Sequence, residues 1–319
     1  MKKAAIGVDI GGTSVKLGLV DARGKILVHD SFATKGISGR TAFLGVLSVR
    51  ILALAAAARK RGLKVAGVGI GAPGPIDVER GFVYSFPNIP GWENTPFKKL
   101  LEKKLKMKVF VDNDANVMAM AEFYFGAGKG SKNMVALTLG TGVGGGLVVD
   151  GKLFHGSTFS AAEIGHFSIN EDGPLCACGN RGCIETYVGN GYIVKEIRRR
   201  LAAGQKSLLS RWLKEGRELT PKLTKEAAAA GDVFSRKIWE ETGGHLGTAL
   251  AGLVNILNPD RIVLGGGVAQ EAGILFAAVR RTIAKKAFPI AARSAKVMPA
   301  KLGAEAGLVG AAALVLAQS

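Results

Sequence analysis

The sequence predicts an α/β protein made of two copies of one domain, with a cleft between them. Three observations predict it. Short apolar strands alternate with helix-length runs along the chain. Glycine is abundant, 45 of 319 residues, and clusters at strand ends rather than in a low-complexity tract. Two strand clusters also echo one another: "IGGTSVKLGLVD" and "LGTGVGGGLVVD" each put a glycine ten residues before an aspartate, so Gly11 corresponds to Gly140 and Asp21 to Asp150. A duplicated domain explains that register better than coincidence between two glycine-rich hairpins. Two facing α/β domains form a cleft, the usual place for a small-molecule site.

The elements follow in order. "AAIGVDIGGTSVKLGLVDARGKILVHDSFAT" predicts three short strands joined by tight glycine turns. An alanine- and leucine-rich run from about Ser38 to Arg61 predicts a helix. "VAGVGIGAPGPID" is a buried strand that breaks at Gly71 to Pro75. "MKVFVDNDANVMAMAEFYFGAG" gives a strand, a polar turn and a helix beginning near Asp114. After the second strand cluster come a cysteine-bearing loop and a mainly helical region to about Leu257. "NPDRIVLGGGV" is a turn, a buried strand and a glycine loop, and a final apolar helix begins near Glu305.

Composition bounds the rest. An apolar share of 48% supports a sizeable core. No apolar stretch approaches the roughly 18 residues of a spanning helix without charges or glycine turns. "MKKAAIGVDIGG" has too short an apolar run for a signal peptide. With all three cysteines in one cluster, a reducing, cytoplasmic home is expected. The net charge of +18 fits either affinity for a polyanion or lysines solvating helix faces. "FKKLLEKKLKMK" and "IRRRL" place basic residues at helical spacing with no interleaved aromatics, which favours solvated faces. The charge would still attract anionic substrates such as nucleotides.

Four constellations carry chemistry. Gly11, Gly12 and Thr13 make a turn whose unshielded backbone N–H groups suit a phosphate, and the second copy offers a matching turn. Together they form a clamp on a polyphosphate; the alternative is two purely structural hairpins. Asp9 precedes the first turn, where it could orient magnesium through water, and Lys16 follows it as either a ligand or an ordinary strand lysine. The "GGGV" run, Gly265 to Val268, ends a buried strand, where α/β proteins bind ligands. Asp114, at a strand-to-helix junction crowded with Asp112, Asn113 and Asn116, is either a helix N-cap or an ionised base for an attacking hydroxyl. In a loose phosphoryl-transfer transition state the proton can leave late, so an ordinary carboxylate suffices.

"CACGNRGCIE" holds Cys176, Cys178 and Cys183. Three thiols leave one unpaired in any disulfide, and C-x-C is not the redox spacing. Zinc with a fourth ligand is the expected reading, free thiols the alternative. The fourth ligand is His166, ten residues before Cys176, in preference to the more distant His155. Such a site leaves no coordination position for water, so its metal is structural.

The cysteine loop resembles the C-x-C-G-x-x-G-C-x-E signature of the ROK family of repressors, open reading frames and kinases. "DIGGTSVKLGLV" and "LGTGVGGGLV" resemble its two phosphate motifs, and "GAPGPID" its sugar-domain loop. "VDNDAN" resembles its catalytic motif, "EIGH" its sugar-and-zinc motif and "LGGGV" its adenosine motif, in the same order over nearly the whole chain. The resemblance implies an actin-like ATPase fold (ribonuclease H-like), duplicated into two domains. It places residues 1–115 with 304–319 in a small domain and 116–303 in a large one with the zinc loop. It implies an ATP-dependent sugar kinase with magnesium and a structural zinc, most like glucokinases, with Asp114 as base toward the C6 hydroxyl. It further implies that Gly74, Asn88, Asn113, Glu163, His166 and Glu185 bind sugar. Gly11, Gly12, Thr13, Thr141, Gly142, Gly265 and Gly266 would line the ATP site. Kinases of N-acetylmannosamine, N-acetylglucosamine, fructose or mannose share this scaffold. A polyphosphate donor and a sugar-responsive repressor are further alternatives; the repressors carry a helix-turn-helix ahead of the sugar domain, for which a first strand at residue 4 leaves no room. Sugar and ATP are the expected partners, with no specific nucleic acid or membrane, and a homodimer is expected from the family.

Overall fold

The protein was analysed as a computed structural model, which describes residues 2–37, 39–86, 91–270 and 273–318. The chain begins with β1 (Lys2–Ile10), β2 (Ser14–Asp21) and β3 (Ile26–Ala33), an antiparallel meander. Helix α1 (Arg40–Lys60) returns the chain to β4 (Leu63–Ala72), parallel to β1. A small hairpin, β5 (Ile76–Asp77) and β6 (Phe82–Val83), and α2 (Phe97–Leu105) lead to β7 (Val109–Asn113), parallel to β4. The sheet order is β3-β2-β1-β4-β7. Helix α3 (Asp114–Phe125) follows β7 with no intervening turn, where a polar turn was expected.

The second sheet repeats the pattern with β8 (Met134–Leu139), β9 (Val143–Val149) and β10 (Lys152–Leu153). Five helices separate it from its last strands: α4 (Glu185–Val188), α5 (Asn190–Ala202), α6 (Leu208–Lys214), α7 (Pro221–Ala229) and α8 (Val233–Leu257). Then come β11 (Arg261–Gly265), α9 (Gly273–Lys286), α10 (Pro289–Ser294) and β12 (Lys296–Pro299). The order β10-β9-β8-β11-β12 matches the first sheet position for position. The echo between Gly11 and Gly140 is thus an echo of whole sheets: both glycines follow the central strand of their sheet. The chain closes with α11 (Ala306–Leu316).

Strand β1 is apolar on both faces because helices cover both. Ile6, Val8 and Ile10 pack in one core with Phe43, Leu47 and Ile51 of α1. Ala5, on the other face, packs with Leu308 and Ala312 of α11. Helix α1 is by length and composition apolar enough to cross a membrane, although Gly45 and Arg50 interrupt its apolar run as the sequence indicates. Its Arg50 pairs with Asp30 of β3 at 3.0 Å, and its Phe43, Leu47 and Ile51 are fully buried, so here it is a core helix.

The chain divides into two compact units, Met1–Gly130 with Gly146–Ala162 and Lys301–Ser319, and Ser131–Gly145 with Glu163–Ala300. The first unit therefore includes 116–130, 146–162 and 301–303, which the expected division places in the second domain. Packing explains the difference for α3. Gly310 of α11 lies so close to the Val117 carbonyl that a Cβ could not fit. The buried carboxylate of Glu122 accepts from the backbone N–H groups of Lys301 and Leu302 at 2.9 and 2.8 Å. Those bonds tie α3 to the segment that leads into α11.

Candidate active site

In the first unit the polar junction of β7 and α3 is built around a buried carboxylate. Asp112, 3% exposed, accepts through Oδ1 from the Asn113 N–H at 2.7 Å and from Asn116 Nδ2 at 2.9 Å. Its Oδ2 lies 2.7 Å from Nε2 of His155. That bond, and the charge behind it, raises the imidazole pKa despite partial burial. Asn113 is the helix cap, its Oδ1 accepting from Ala115 N–H at 2.9 Å, while its Nδ2 donates to the Gly74 carbonyl at 3.3 Å. Gly74 and Asn113 are thus brought together. Asp114 is the first helical residue rather than the cap, and its Oδ1 also accepts from Ala115 N–H, at 2.8 Å. Asn88 lies outside the described residues.

The first glycine turn is partly closed by its own bonds. Gly11 N–H donates to the Ser14 carbonyl at 3.0 Å and is not available to a ligand. The N–H groups of Gly12 and Thr13 make no hydrogen bond among the described residues, and both residues are exposed. Their carbonyls are held by Thr34, through its hydroxyl to Gly12 at 2.7 Å and its N–H to Thr13 at 3.0 Å. Lys16 Nζ donates to the Ala304 carbonyl at 3.0 Å. Asp9 is largely buried against Gly307 in the first turn of α11, where a Cβ would meet its carboxylate at 2.5 Å. Burial raises its pKa; Lys16 opposes that shift and Glu305 adds to it. One carboxylate beside the glycine turn would suit magnesium if the turn holds a phosphate, since that ion takes most of its ligands from phosphate and water.

The second unit repeats the turn. Gly140 N–H donates to the Gly142 carbonyl at 2.9 Å, while those of Thr141 and Gly142 carry no hydrogen bond among the described residues. Both units therefore use the first glycine's donor internally and leave the next two. Gly265 and Gly266 lie beside this turn, because Val268 N–H donates to the Leu139 carbonyl at 3.0 Å. Gly266 has φ +84° and sits against the Leu139 backbone, a position no Cβ can share.

The cysteine loop brings its predicted ligands together. The ligand atoms of His166, Cys176, Cys178 and Cys183 all lie within 4.8 Å of one another. Cys178 and Cys183 sulfurs are 3.7 Å apart, and Cys176 Sγ is 3.7 Å from His166 Nδ1. A tetrahedron of zinc–sulfur bonds of about 2.3 Å has edges of about 3.8 Å, so the spacing fits that ion. Burial, with the neighbouring thiols, pushes the Cys183 thiol up to about 12, while the Asn180 backbone N–H holds the exposed Cys178 thiol below its usual value; a bound cation would favour the thiolate at Cys183. His155, the other candidate ligand, is bound to Asp112 instead.

Glu185 makes a contact that its sequence neighbourhood does not indicate. Its Oε2 accepts from Val143 N–H at 2.9 Å and lies where a Cβ on Gly142 would be, 2.6 Å away. The last residue of the cysteine signature thus holds the second glycine turn. Glu163 is exposed, and its carbonyl accepts from His166 N–H at 3.0 Å.

Two sheets of one strand order, each with a glycine turn after its central strand, define the class: a two-domain, actin-like ATPase fold of mixed α/β sheets. Within that class the chain belongs to the ROK family, whose profile matches residues 5–318. A protein named glucokinase from Halalkalibacterium halodurans is 37% identical over 314 residues, 98% of this chain and 95% of that one. A solved ROK family glucokinase from Streptomyces griseus, in complex with glucose and AMPPNP, is 35% identical, with a TM-score of 0.75 and 98% of each chain covered. A ROK family transcriptional regulator, a homologue of the Escherichia coli MLC protein, superposes with a TM-score of 0.88 at 27% identity, over 99% of this chain and 78% of that one.

Proposed function

We propose that this protein is an ATP-dependent hexokinase-class enzyme, a glucokinase, that transfers the γ-phosphate of ATP to the C6 hydroxyl of glucose. The observation that carries the reading is the position of Asp114. It stands in the first turn of α3, where the helix N-terminus favours the ionised carboxylate, while Asp112 and Asn116 are held by each other. Similarity to glucokinases over nearly the whole chain supports it.

In this reading Asp114 accepts the hydroxyl proton as the sugar oxygen bonds to the γ-phosphorus and the bond to the ADP oxygen breaks. Proton abstraction of this kind contributes about 10²- to 10⁴-fold, and positioning and charge neutralisation supply the rest. Gly74, Asn88, Asn113, Glu163, His166 and Glu185 hydrogen-bond the other sugar hydroxyls. His166 presents Nδ1 to the thiols, which leaves Nε2 for sugar, and Glu185 keeps Oε1 for it. The N–H groups of Gly12, Thr13, Thr141 and Gly142 bind phosphate oxygens, Gly265 and Gly266 border the nucleotide, and Lys16 adds charge beside the first turn. Asp9 would hold magnesium, which supplies charge neutralisation on the phosphates. His166, Cys176, Cys178 and Cys183 would hold zinc, which fixes the loop.

The test is kcat/KM with ATP for glucose, mannose, fructose and N-acetylmannosamine. Glucose is expected to lead; negligible turnover of glucose beside brisk turnover of another sugar overturns the choice of substrate. Replacing ATP with polyphosphate in the same assay is expected to abolish turnover.

A further inference from the structure

We infer that His155 is a positioning residue for the phosphoryl transfer, holding Asp112 and, through it, the junction that carries Asn113 and Asp114. The inference rests on the reading of Asp114 as the base.

Asp112 is a carboxylate at 3% exposure in the last turn of strand before α3, and such a group is costly unless its lone pairs are used. One oxygen is used locally: it accepts from the next residue's N–H and from Asn116, one helical turn on. Both partners lie within four residues, so Oδ1 fixes the shape of the junction. The other oxygen is met from 43 residues away by His155, just after β10. His155 is thus the long-range bond that sets which way the Asp112 carboxylate plane faces. Rotating that plane moves the Asn113 N–H, and Asn113 in turn caps α3 at Ala115, the residue whose N–H also bonds Asp114. Each link is a hydrogen bond of 2.7 to 2.9 Å.

The bond also has a second side. His155 lines a cavity of about 460 Å³ whose wall includes Asp112, Phe110, Met120 and Tyr124. Asp112 and His155 both line this cavity, so removing the ring leaves Oδ2 facing it, with water rather than imidazole as its partner. Water does not fix an orientation. Misplacing a reacting group by about 1 Å can cost on the order of 10²-fold in rate.

The experiment compares His155→Ala, His155→Phe and His155→Gln, each checked for folding by its melting temperature. Phe keeps ring volume without a donor and stands in for Ala if Ala does not fold; Gln restores an N–H near the position of Nε2. With glucose and ATP, Ala or Phe is expected to lower kcat by about 10-fold or more, with a smaller rise in KM for glucose through Asn113, and Gln to recover most of both losses. The backbone amide signal of Asn113 and the side-chain amide of Asn116, read by NMR, are expected to shift in Ala or Phe and to return in Gln. Wild-type kcat in the donor-free variants, equal impairment in Gln and Phe, or an unmoved Asn113 signal overturns the inference. Asp114→Asn is measured beside them. Normal kcat there refutes the base reading alone, because the Asn113 and Asn116 signals still report whether His155 holds the junction.

Discussion

The β7–α3 junction and the cysteine loop solve the same problem in opposite ways. Each must hold polar groups still at a place where the backbone turns. The junction does it with protein alone: Asp112 finds the Asn113 N–H, Asn116 and His155, and no other ion is required. The cysteine loop would do it with a bound ion. Its three sulfurs and one imidazole crowd within 4.8 Å, and burial drives the Cys183 thiol toward the protonated state. A junction closed by hydrogen bonds can fold unaided, whereas the proposed zinc loop would gain its order with the ion. The elements each supports differ accordingly: the junction positions Asp114, and the loop positions His166 and Glu185.

Replacing Asp114, the proposed base, should produce the largest effect. Asp114→Asn is expected to lower kcat by about 10²- to 10⁴-fold with glucose affinity largely kept, because the helix, its Asn113 cap and the Asp112 bonds remain. Calorimetric titration of glucose beside steady-state kinetics checks it, and a near-normal kcat would refute the assignment.

The second effect separates the two regions. Cys178→Ser, or treatment with a strong zinc chelator, should remove the metal and raise KM for glucose by about 10- to 100-fold, since ligand placement depends on the ion. The junction should not respond, so the Asn113 amide signal should stay where it is. Metal analysis and kinetics decide it: metal lost with KM unchanged would break the coupling between loop and sugar.

A smaller effect probes the link from loop to glycine turn. Glu185→Gln keeps an oxygen for the Val143 N–H but removes the charge. KM for glucose is expected to rise by about 10-fold, as for loss of a charged hydrogen bond, with KM for ATP changed less. A change confined to ATP would mean that Glu185 serves the turn and not the sugar.

The smallest prediction concerns pH. Because Asp112 raises the folded-state pKa of His155, the pair's contribution is fully present below the unfolded value of about 6.5 and is lost as pH rises through the folded value. Glu79, Lys98, Tyr124 and Lys152 line the same cavity and complete its charge environment. The melting temperature of wild type should exceed that of His155→Gln by about 2 °C at pH 5.5 and converge with it by pH 9. A constant difference would show that hydrogen bonding, not charge, carries the pair.

Much of this was legible in the sequence because it is local. The strands, both glycine turns and the clustering of His166, Cys176, Cys178 and Cys183 follow from short spacings and residue chemistry. What was missed is long-range. Nothing within a window marks Glu185 for Val143, 42 residues away, or His155 for Asp112, 43 residues away. The same holds for Glu122, whose partners at Lys301 and Leu302 place α3 in the first unit. The internal bond of Gly11 was missed for another reason: a turn's sequence shows that donors exist, not which of them the turn itself consumes. Helices α9 and α10 and strand β12 went unread although Leu275, Val279 and Ile283 keep helical spacing and Pro289 opens α10, signals that could have found them.

The central claim is tested most directly by the product. Wild-type protein, ATP, magnesium and glucose, followed by ³¹P NMR, should yield ADP and glucose 6-phosphate in equal amounts. ATP hydrolysis without sugar phosphate, or phosphate on any hydroxyl other than that of C6, would contradict it.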